Sequence, residues 1–226
     1  MNPPLILASK SPRRKEILQD LGFQIQVFHS NIEETSDPDS RTLEEKIISI
    51  ARKKAKAVVV QIDMKDSKDI IIASDTAVCL GEEILGKPKN RKEAIGMLNK
   101  LSGNKHEVIT ATVIIDNNRG SYYEAASITI VNFKELKEEV ILEYLDKNVY
   151  LDKAGAYGIQ NNGDWLIENI EGDYFNVMGI SVAKFLEYFK IYYNREISTK
   201  TLIKKHENAI RKLRSDGDNN EQTFSK

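Results

Sequence analysis

The sequence predicts an α/β domain built on a mixed β-sheet with flanking helices. Strand and helix patterns alternate through the N-terminal half of the chain, as they do in α/β folds. Two long strand patterns between His106 and Phe133 are separated only by an Asn-Asn-Arg-Gly turn, which predicts that these strands pair with each other. The chain has 226 residues, of which 41% are apolar, enough for one domain of ordinary size or for a domain with a tail.

The chain begins with a buried strand, a short helix and a half-buried strand. Residues 4–9 form a continuous apolar run, which is typical of a buried strand. Ser11 as the N-cap and Pro12 as the first helical residue predict a helix over 12–21, which Gly22 ends. The alternation of apolar and polar residues over 23–29 predicts the half-buried strand.

The following elements are also marked by local signals. Thr42 and Glu45 form a capping box that begins a helix extending to Gln61. Residues 69–74 are a second buried strand, and a hairpin around Gly81 follows it. Residues 149–181 are rich in glycine and are predicted as loops broken by short strands. Three more helices are predicted over 91–101, 135–145 and 181–193.

Residues 1–194 are predicted to form the domain, and residues 195–226 a polar C-terminal extension. The extension ends in a run of polar residues, and a helix over 201–213 would have a thin apolar face. We therefore interpret it as an appendage that is partly helical or disordered, and not as a second domain.

Composition excludes several classes of function. The 33 basic and 34 acidic residues give a net charge of −1, so there is no overall attraction to nucleic acids or anionic membranes. The single cysteine, Cys79, and the three separated histidines offer neither a disulfide framework nor a histidine-cysteine metal site. No apolar stretch approaches the ~20 residues of a membrane span. A cytoplasmic protein without a membrane segment or a stable nucleic-acid partner is expected.

Positive charges collect at the start of the first helix. Arg13 and Arg14, followed by Lys15, lie at the positive end of the helix dipole, where each exposed cation costs roughly 0.3–1 kcal/mol. This arrangement suits a site that binds phosphate, because free N–H groups and guanidinium forks would converge on its oxygens. The alternative is a solvated helix end that happens to be basic. Lys54 within a helix and Lys87 in a tight Gly-Lys-Pro loop are further basic candidates, although Lys54 also fits a solvated helix face.

Candidate carboxylates follow two of the predicted strands. Asp75 comes directly after the apolar strand 69–74, where a carboxylate can act as a general base or a metal ligand. The alternative role is a turn or cap residue. Glu33 and Glu34 lie in the loop after strand 23–29, where they could also be a solvated pair. Two carboxylates near arginines and lysines would suit Mg²⁺ with a polyphosphate, since Mg²⁺ uses one or two protein carboxylates, waters and substrate phosphates.

Eight sequence blocks in order carry a family resemblance: LASKSPRRKEILQDLG, NIEE, ARKKA, SDT, LGKP, LSGNKHEVITA, DKAGAYGIQ and YFNVMGI. Over about residues 4–190 the chain resembles the Maf family of nucleoside triphosphate pyrophosphatases. The resemblance implies an α/β fold with a deep cleft between two lobes, shared with the inosine triphosphate pyrophosphatases. It also implies hydrolysis of a nucleoside triphosphate to the monophosphate and pyrophosphate, with a divalent cation (Mg²⁺ or Mn²⁺), by a homodimer.

The resemblance also implies roles for single residues. Asp75 matches the family's proton acceptor, and Glu34 matches an acidic position that binds metal or water, so both are candidate catalytic residues and metal ligands. The positions implied to bind the phosphates are Ser9, Ser11, Arg13, Arg14, Lys54 and Lys87.

Two further positions resemble the branch of the family that acts on dTTP and UTP. Thr76 follows the aspartate, and Gln160 ends the GAYGIQ block. A glutamine amide can both donate and accept hydrogen bonds, as pairing with O4 and N3–H of uracil or thymine requires. The sequence departs from the family pattern at Lys10, after Gln160 and after Ile180, where a proline is common.

The resulting prediction is a dTTP/UTP pyrophosphatase that removes unwanted nucleotides from the cellular pool, with modified pyrimidine nucleotides as possible further substrates. The alternative is a non-catalytic regulator of cell division or septum formation that binds nucleotides or nucleic acid. The near-neutral charge and the intact set of charged site positions favour the enzyme.

Overall fold

The computed structural model describes residues 4–62, 69–160 and 162–213. The strands are β1 (Leu5–Ala8), β2 (Ile25–Phe28), β3 (Ile70–Leu80), β4 (Glu83–Leu85), β5 (Lys105–Asp116), β6 (Ser121–Phe133) and β7 (Ile167–Glu171). The helices are α1 (Pro12–Asp20), α2 (Leu43–Gln61), α3 (Arg91–Leu101), α4 (Glu138–Lys147), α5 (Gly163–Leu166), α6 (Tyr174–Met178), α7 (Val182–Tyr193) and α8 (Lys200–Leu213), with a 3₁₀ helix at Ala154–Ala156. Within the described ranges, no helix combines the length and apolar character that crossing a membrane requires.

The strands form one open, mixed sheet of seven strands. Its order is β2-β1-β3-β5-β6-β7, and β4 pairs with β3. β1 runs parallel to both neighbours, with Leu5 opposite Ile25 of β2 and Ile70 of β3. β4 is antiparallel to β3, and β7 is antiparallel to β6. The predicted α/β class with a mixed sheet and flanking helices is therefore confirmed.

Most of the elements predicted from local sequence signals are present in the structure. Pro12 is the first residue of α1, and Thr42 and Glu45 make both hydrogen bonds of the capping box before α2. The helix predicted to start at residue 135 begins at Glu138. The backbone before Glu138 does not join the helix, since the Leu136 N–H donates to Ser102 Oγ.

Two segments are more regular than their composition indicated. The glycine-rich stretch contains α5, β7 and α6, of which only the strand was expected. Within the C-terminal extension, Lys200–Leu213 forms α8, in which Leu202 and Leu213 are buried despite the thin apolar face; residues 214–226 of the extension lie outside the described residues. The division between domain and extension at residue 194 stays a prediction.

The chain divides into two compact units. Unit 1 comprises Met1–Asp75, Thr110–Ser127 and Gly179–Lys205, and unit 2 comprises Thr76–Ile109, Ile128–Met178 and His206–Lys226. In unit 1, the ring of Phe23 packs against Phe185 and Phe189 with centroids 5.1 Å apart in both pairs. Offset and edge-on contacts of this kind add to the stabilisation from burying the rings.

The core of unit 2 contains a buried histidine. His106 on β5 contacts the rings of Phe133 and Tyr157 edge-on, and its Nε2 is 2.8 Å from the Tyr157 hydroxyl. Its Nδ1 is buried without a hydrogen-bond partner among the described residues. Burial lowers the pKa of His106 from 6.5 to about 4, so the imidazole is neutral near pH 7.

His106 is expected to make the stability of the protein depend on pH. Between pH 6.5 and 4 the unfolded chain binds a proton at His106 and the folded chain does not. The free energy of unfolding is therefore unaffected by this group above pH 6.5 and decreases as the pH falls toward 4. The free-energy difference between wild type and His106→Gln, measured by urea unfolding, should shrink by roughly 3 kcal/mol from pH 7.5 to pH 4.

Comparing wild type with His106→Gln separates the effect of His106 from the opposite pH dependence of Asp173. Burial raises the pKa of Asp173 to about 6, so its contribution to stability falls as the pH rises from about 4 to 6. Asp173 is present in both proteins and therefore cancels. His29→Gln, at an exposed position, is the control for removing a histidine. A wild type to His106→Gln difference that stays constant over this range would contradict the assignment.

Candidate active site

Lys54 on α2 lies between two carboxylates in unit 1. Its Nζ is 2.5 Å from Asp75 Oδ1 and 2.7 Å from Glu34 Oε1. The residue is only 6% exposed, because it lies on the buried face of α2 with Ala51 and Ala55. The alternative of a solvated helix face is therefore wrong for Lys54.

Glu34 reaches this lysine from the loop between β2 and α2. Hydrogen bonds hold the loop against α2: Lys53 Nζ donates to the Thr35 carbonyl at 2.9 Å, and the Asp37 N–H donates to Ser49 Oγ at 3.0 Å. The Glu34 side chain is 48% exposed, so one carboxylate group can bind the lysine and still face solvent. Glu34 is therefore accessible to a ligand.

Asp75 lies within β3 and does not follow its end, so the position predicted from the sequence is wrong. The polar Ser-Asp-Thr sequence predicts the end of a strand, yet β3 continues to Leu80 because β4 pairs with this later part. Ser74 supports the backbone beside Asp75, since its hydroxyl is 2.7 Å from the Ala111 carbonyl and 3.0 Å from the Gly179 carbonyl.

Ser9 and Arg14 are joined by hydrogen bonds at the end of β1. Arg14 Nη1 donates to Ser9 Oγ at 3.1 Å, and the Ser11 N–H donates to the same oxygen at 3.1 Å. The paired register of β1 with β3 ends at Leu7 and Ile72, two residues before Ser9 and Ser74. Arg14 and Ser74 both donate to the Gly179 carbonyl, which links Ser9, through Arg14, to the residue before Asp75.

The charges in unit 1 influence one another. Burial lowers the pKa of the Arg14 guanidinium, the positive charge of Arg13 lowers it further, and the carboxylates of Asp75 and Glu34 oppose both effects. An arginine stays protonated in spite of such a shift. The structure therefore brings Arg14, as well as Lys54, close enough to both predicted carboxylates for their charges to interact.

The start of α1 is as basic as the sequence predicted. Ser11 occupies the N-cap position, but its side chain makes no capping hydrogen bond, and the first turn contains no acidic residue. Side chains of the cap and the first turn therefore supply no negative charge to the positive end of this helix. An anionic ligand would supply what the helix lacks.

Gly179 has a role that the sequence analysis missed. Its carbonyl accepts a hydrogen bond from Arg14 Nε at 2.6 Å, and it also accepts from Ser74. Its φ of 110° lies in a region that glycine adopts readily and other residues rarely do. The one available signal was the glycine in the YFNVMGI block, because a backbone carbonyl leaves no trace in the identity of the residue that supplies it.

The other three predicted positions lie in unit 2. Thr76 continues β3 directly after Asp75, Lys87 is exposed in the loop after β4, and Gln160 follows the 3₁₀ helix. The Gly155 N–H donates to the Gly86 carbonyl at 3.1 Å. Within unit 2, therefore, the loop that carries Lys87 is bonded to the 3₁₀ helix that precedes Gln160.

The loop before Gln160 is further fixed by aromatic side chains. The Gly158 N–H donates to the Tyr144 hydroxyl at 3.0 Å, and Tyr157 contacts His106. Gly155 has a φ of 65°, and a Cβ there would lie 3.0 Å from Val78 Cγ1, so the position requires glycine.

Glu34 and Asp75 form a donor set that suits a divalent cation. Among the described residues, no group of three or more histidine, cysteine, aspartate and glutamate side chains could hold a metal. The two carboxylates do converge on one cation, the Lys54 ammonium. A pair of carboxylates is as much as Mg²⁺ commonly takes from a protein, with waters and substrate phosphates completing its shell. The residues present therefore fit such an ion.

Comparison with known proteins identifies the family of this chain. The sequence model of the Maf family, described as Maf-like protein, matches residues 4–191. The chain belongs to the Maf family. The resemblance stated from the eight sequence blocks is thereby confirmed, and the family match covers all the candidate residues described above.

Curated relatives within the Maf family cover most of the chain. A dTTP/UTP pyrophosphatase of Fusobacterium nucleatum is 45% identical over 183 residues, which is 81% of this chain and 92% of the relative. A dTTP/UTP pyrophosphatase of Pyrococcus abyssi is 44% identical over 83% of this chain and 95% of its own. A third, from Clostridium acetobutylicum, is 40% identical over 80% of this chain and 93% of its own.

Proposed function

We propose that this protein hydrolyses dTTP and UTP to the nucleoside monophosphate and pyrophosphate. The observation that carries the proposal is the placement of the buried Lys54 between Asp75 and Glu34. Both carboxylates also interact electrostatically with Arg14. Relatives that carry the name dTTP/UTP pyrophosphatase and align over more than 90% of their own length support it. A cytoplasmic location and a homodimer stay predictions.

Asp75 is proposed as the base of the reaction. Its carboxylate, largely buried and bonded to Lys54, takes a proton from the water that attacks the α-phosphorus. The bond between the α-phosphorus and the bridging oxygen breaks, and pyrophosphate leaves. A positioned general base of this kind contributes about 10²–10⁴-fold to a rate. Lys54 keeps Asp75 oriented through the 2.5 Å contact.

The cations are proposed to stabilise the leaving group. Phosphoryl transfer depends on neutralising charge on the phosphate oxygens in the transition state. Ser9 after β1 and Ser11, Arg13 and Arg14 at the start of α1 supply hydrogen bonds and positive charge for this purpose, and Lys54 and Lys87 supply further charge. A divalent cation, Mg²⁺ or Mn²⁺, held by Glu34 and Asp75 would neutralise phosphate charge and lower the pKa of a bound water.

A panel of nucleotides tests the proposal. The purified protein is incubated with Mg²⁺ or Mn²⁺ and with UTP, dTTP, CTP, ATP or GTP in turn, and the monophosphate and pyrophosphate are quantified. Release of both products from UTP and dTTP well above the other nucleotides is expected. Turnover of purines alone would contradict the assignment of substrate, and no turnover by folded protein would contradict the enzyme itself.

Gln160 is proposed to select the base, together with Thr76. Uracil presents an acceptor at O4 and a donor at N3, whereas cytosine presents a donor at N4 and an acceptor at N3. A carboxylate accepts only, so Gln160→Glu loses the donor to O4 and gains an acceptor for N4–H₂. The ratio of kcat/KM for UTP to that for CTP should fall about tenfold. Gln26→Ala, at an exposed position, is the control. An unchanged ratio would contradict a role of Gln160 in base selection.

A further inference from the structure

Helix α8 lies beyond the part of the chain that matches the Maf family, yet it contacts the helix that carries the arginine pair. The family match ends at residue 191, and α8 begins at Lys200. In unit 1, Lys205 Nζ is 2.5 Å from Glu16 Oε1 and 2.9 Å from Asp20 Oδ2, both on α1. Leu202, one turn before Lys205, is completely buried and anchors this part of α8.

The charges of α1 are arranged against its own dipole. Arg13 and Arg14 lie at its positive end, Asp20 is its last residue, and the last turn contains no basic residue. Each such mismatch is destabilising. A helix of nine residues is also too short to be stable by itself, so its position depends on contacts with other elements. Those contacts include the buried Ile17 and Leu18.

Lys205 supplies the cation that the end of α1 lacks. The ammonium pairs with two acidic residues that are four positions apart, on one side of α1. These ion pairs raise the pKa of Lys205 above its ordinary value. Arg14 is bonded near the start of α1 to the Gly179 carbonyl, and Lys205 binds acidic side chains in the remaining turns. An element outside the family match therefore helps to hold the helix that presents Arg13 and Arg14.

We propose that Lys205 is a positioning residue for the phosphate-binding turn, and that α8 has thus become part of the nucleotide-binding unit in this chain. The proposal rests on the proposed function, because it assumes that Arg13 and Arg14 bind the polyphosphate. It assigns α8 a role in affinity for the polyphosphate and no role in the chemical step.

Four variants of the full chain test the proposal. Lys205→Glu reverses the contact, Lys205→Gln removes the charge, and Lys205→Arg keeps it. Lys204→Glu introduces the same change of charge at the neighbouring exposed position, which controls for long-range electrostatics. KM and kcat for UTP are measured for each variant, and the dissociation constant for inorganic pyrophosphate is measured by calorimetry in the absence of nucleotide.

The expected result separates affinity from turnover. Lys205→Glu should raise KM and the pyrophosphate dissociation constant about fivefold relative to Lys204→Glu, with kcat within about twofold of wild type, since exposed ion pairs have modest energies. Lys205→Gln should show a smaller rise in the same direction, and it preserves the test if the reversal impairs folding. Lys205→Arg should resemble wild type.

Two results would overturn the proposal in distinguishable ways. If Lys205→Glu and Lys204→Glu have the same KM and the same pyrophosphate affinity while wild type is active, α8 does not position α1 and the proposed function stands. A fall in kcat without a change in KM would likewise show a structural role only. If wild type neither hydrolyses UTP nor binds pyrophosphate, the proposed function fails and this inference fails with it.

Discussion

Replacing Asp75 by asparagine is expected to reduce kcat for UTP hydrolysis by about 10³-fold or more and to leave the protein folded. Asparagine has the same shape and can still accept a hydrogen bond from Lys54 Nζ, which lies 2.5 Å from Asp75 Oδ1. It cannot accept a proton, so the contribution of the general base is lost. The measurement is kcat with saturating UTP and metal, together with circular dichroism and urea unfolding.

Asp39→Asn is the matched control for this variant. Asp39 is an exposed carboxylate of unit 1 on the loop that also carries Glu34, and its substitution should leave kcat within about twofold of wild type. A folded Asp75→Asn protein with wild-type kcat would exclude Asp75 as the base. It would leave the other residues of the site as a nucleotide-binding arrangement without an assigned proton acceptor.

The second large effect is expected for Lys54→Met. Methionine keeps most of the apolar stem in the buried position but removes the ammonium that pairs with both Asp75 and Glu34. Loss of one preorganised group that stabilises charge in a transition state costs about 10²–10³-fold. We expect a fall of this size in kcat/KM for UTP. The unfolding free energy should also fall, because Asp75, which is 13% exposed, loses its counter-ion.

Lys56→Met provides the comparison on the same helix. Lys56 is exposed two residues after Lys54, so its substitution removes the same charge without disturbing the carboxylates. Steady-state kinetics and urea unfolding should place Lys56→Met close to wild type. If Lys54→Met and Lys56→Met lose activity equally, the effect is one of overall charge, and the buried ion pairs have no special role.

The sequence predicted the elements that depend on local signals. Pro12 after Ser11, and the reciprocal bonds of Thr42 and Glu45, depend only on neighbouring residues, so α1 and α2 were placed correctly at their starts. The same holds for the turn at Gly81 between β3 and β4. Such signals act over a few residues and need no knowledge of the tertiary structure.

Burial of a charged residue was harder to predict. Lys54 lies between other lysines, and charged residues on helices are usually solvated. A signal was nevertheless present, since Ile47, Ala51, Ala55 and Val58 form an apolar stripe that includes position 54. The partner of Lys54 could not be predicted, because Asp75 is 21 residues away and lies within a strand that the polar Ser-Asp-Thr sequence predicts to end before it.

Contacts made by backbone atoms and by distant segments could not be predicted at all. The Gly179 carbonyl binds Arg14 across 165 positions of sequence, and any residue has such a carbonyl. The docking of α8 is similar: two buried leucines and the ion pairs of Lys205 hold a helix that was interpreted as an appendage. Tertiary contacts therefore hold this helix in place, although the composition of the segment gave little indication of a packed helix.

The most direct test of the account is the fate of oxygen during hydrolysis of UTP in ¹⁸O-labelled water. The arrangement around Asp75 is proposed to direct water to the α-phosphorus, so mass spectrometry should find one ¹⁸O atom in the uridine monophosphate and none in the pyrophosphate at each turnover. The Asp75→Asn protein should form the labelled monophosphate about 10³-fold more slowly. Label in the pyrophosphate would contradict attack of water on the α-phosphorus. Release of single phosphate groups from the end of the triphosphate would contradict it as well.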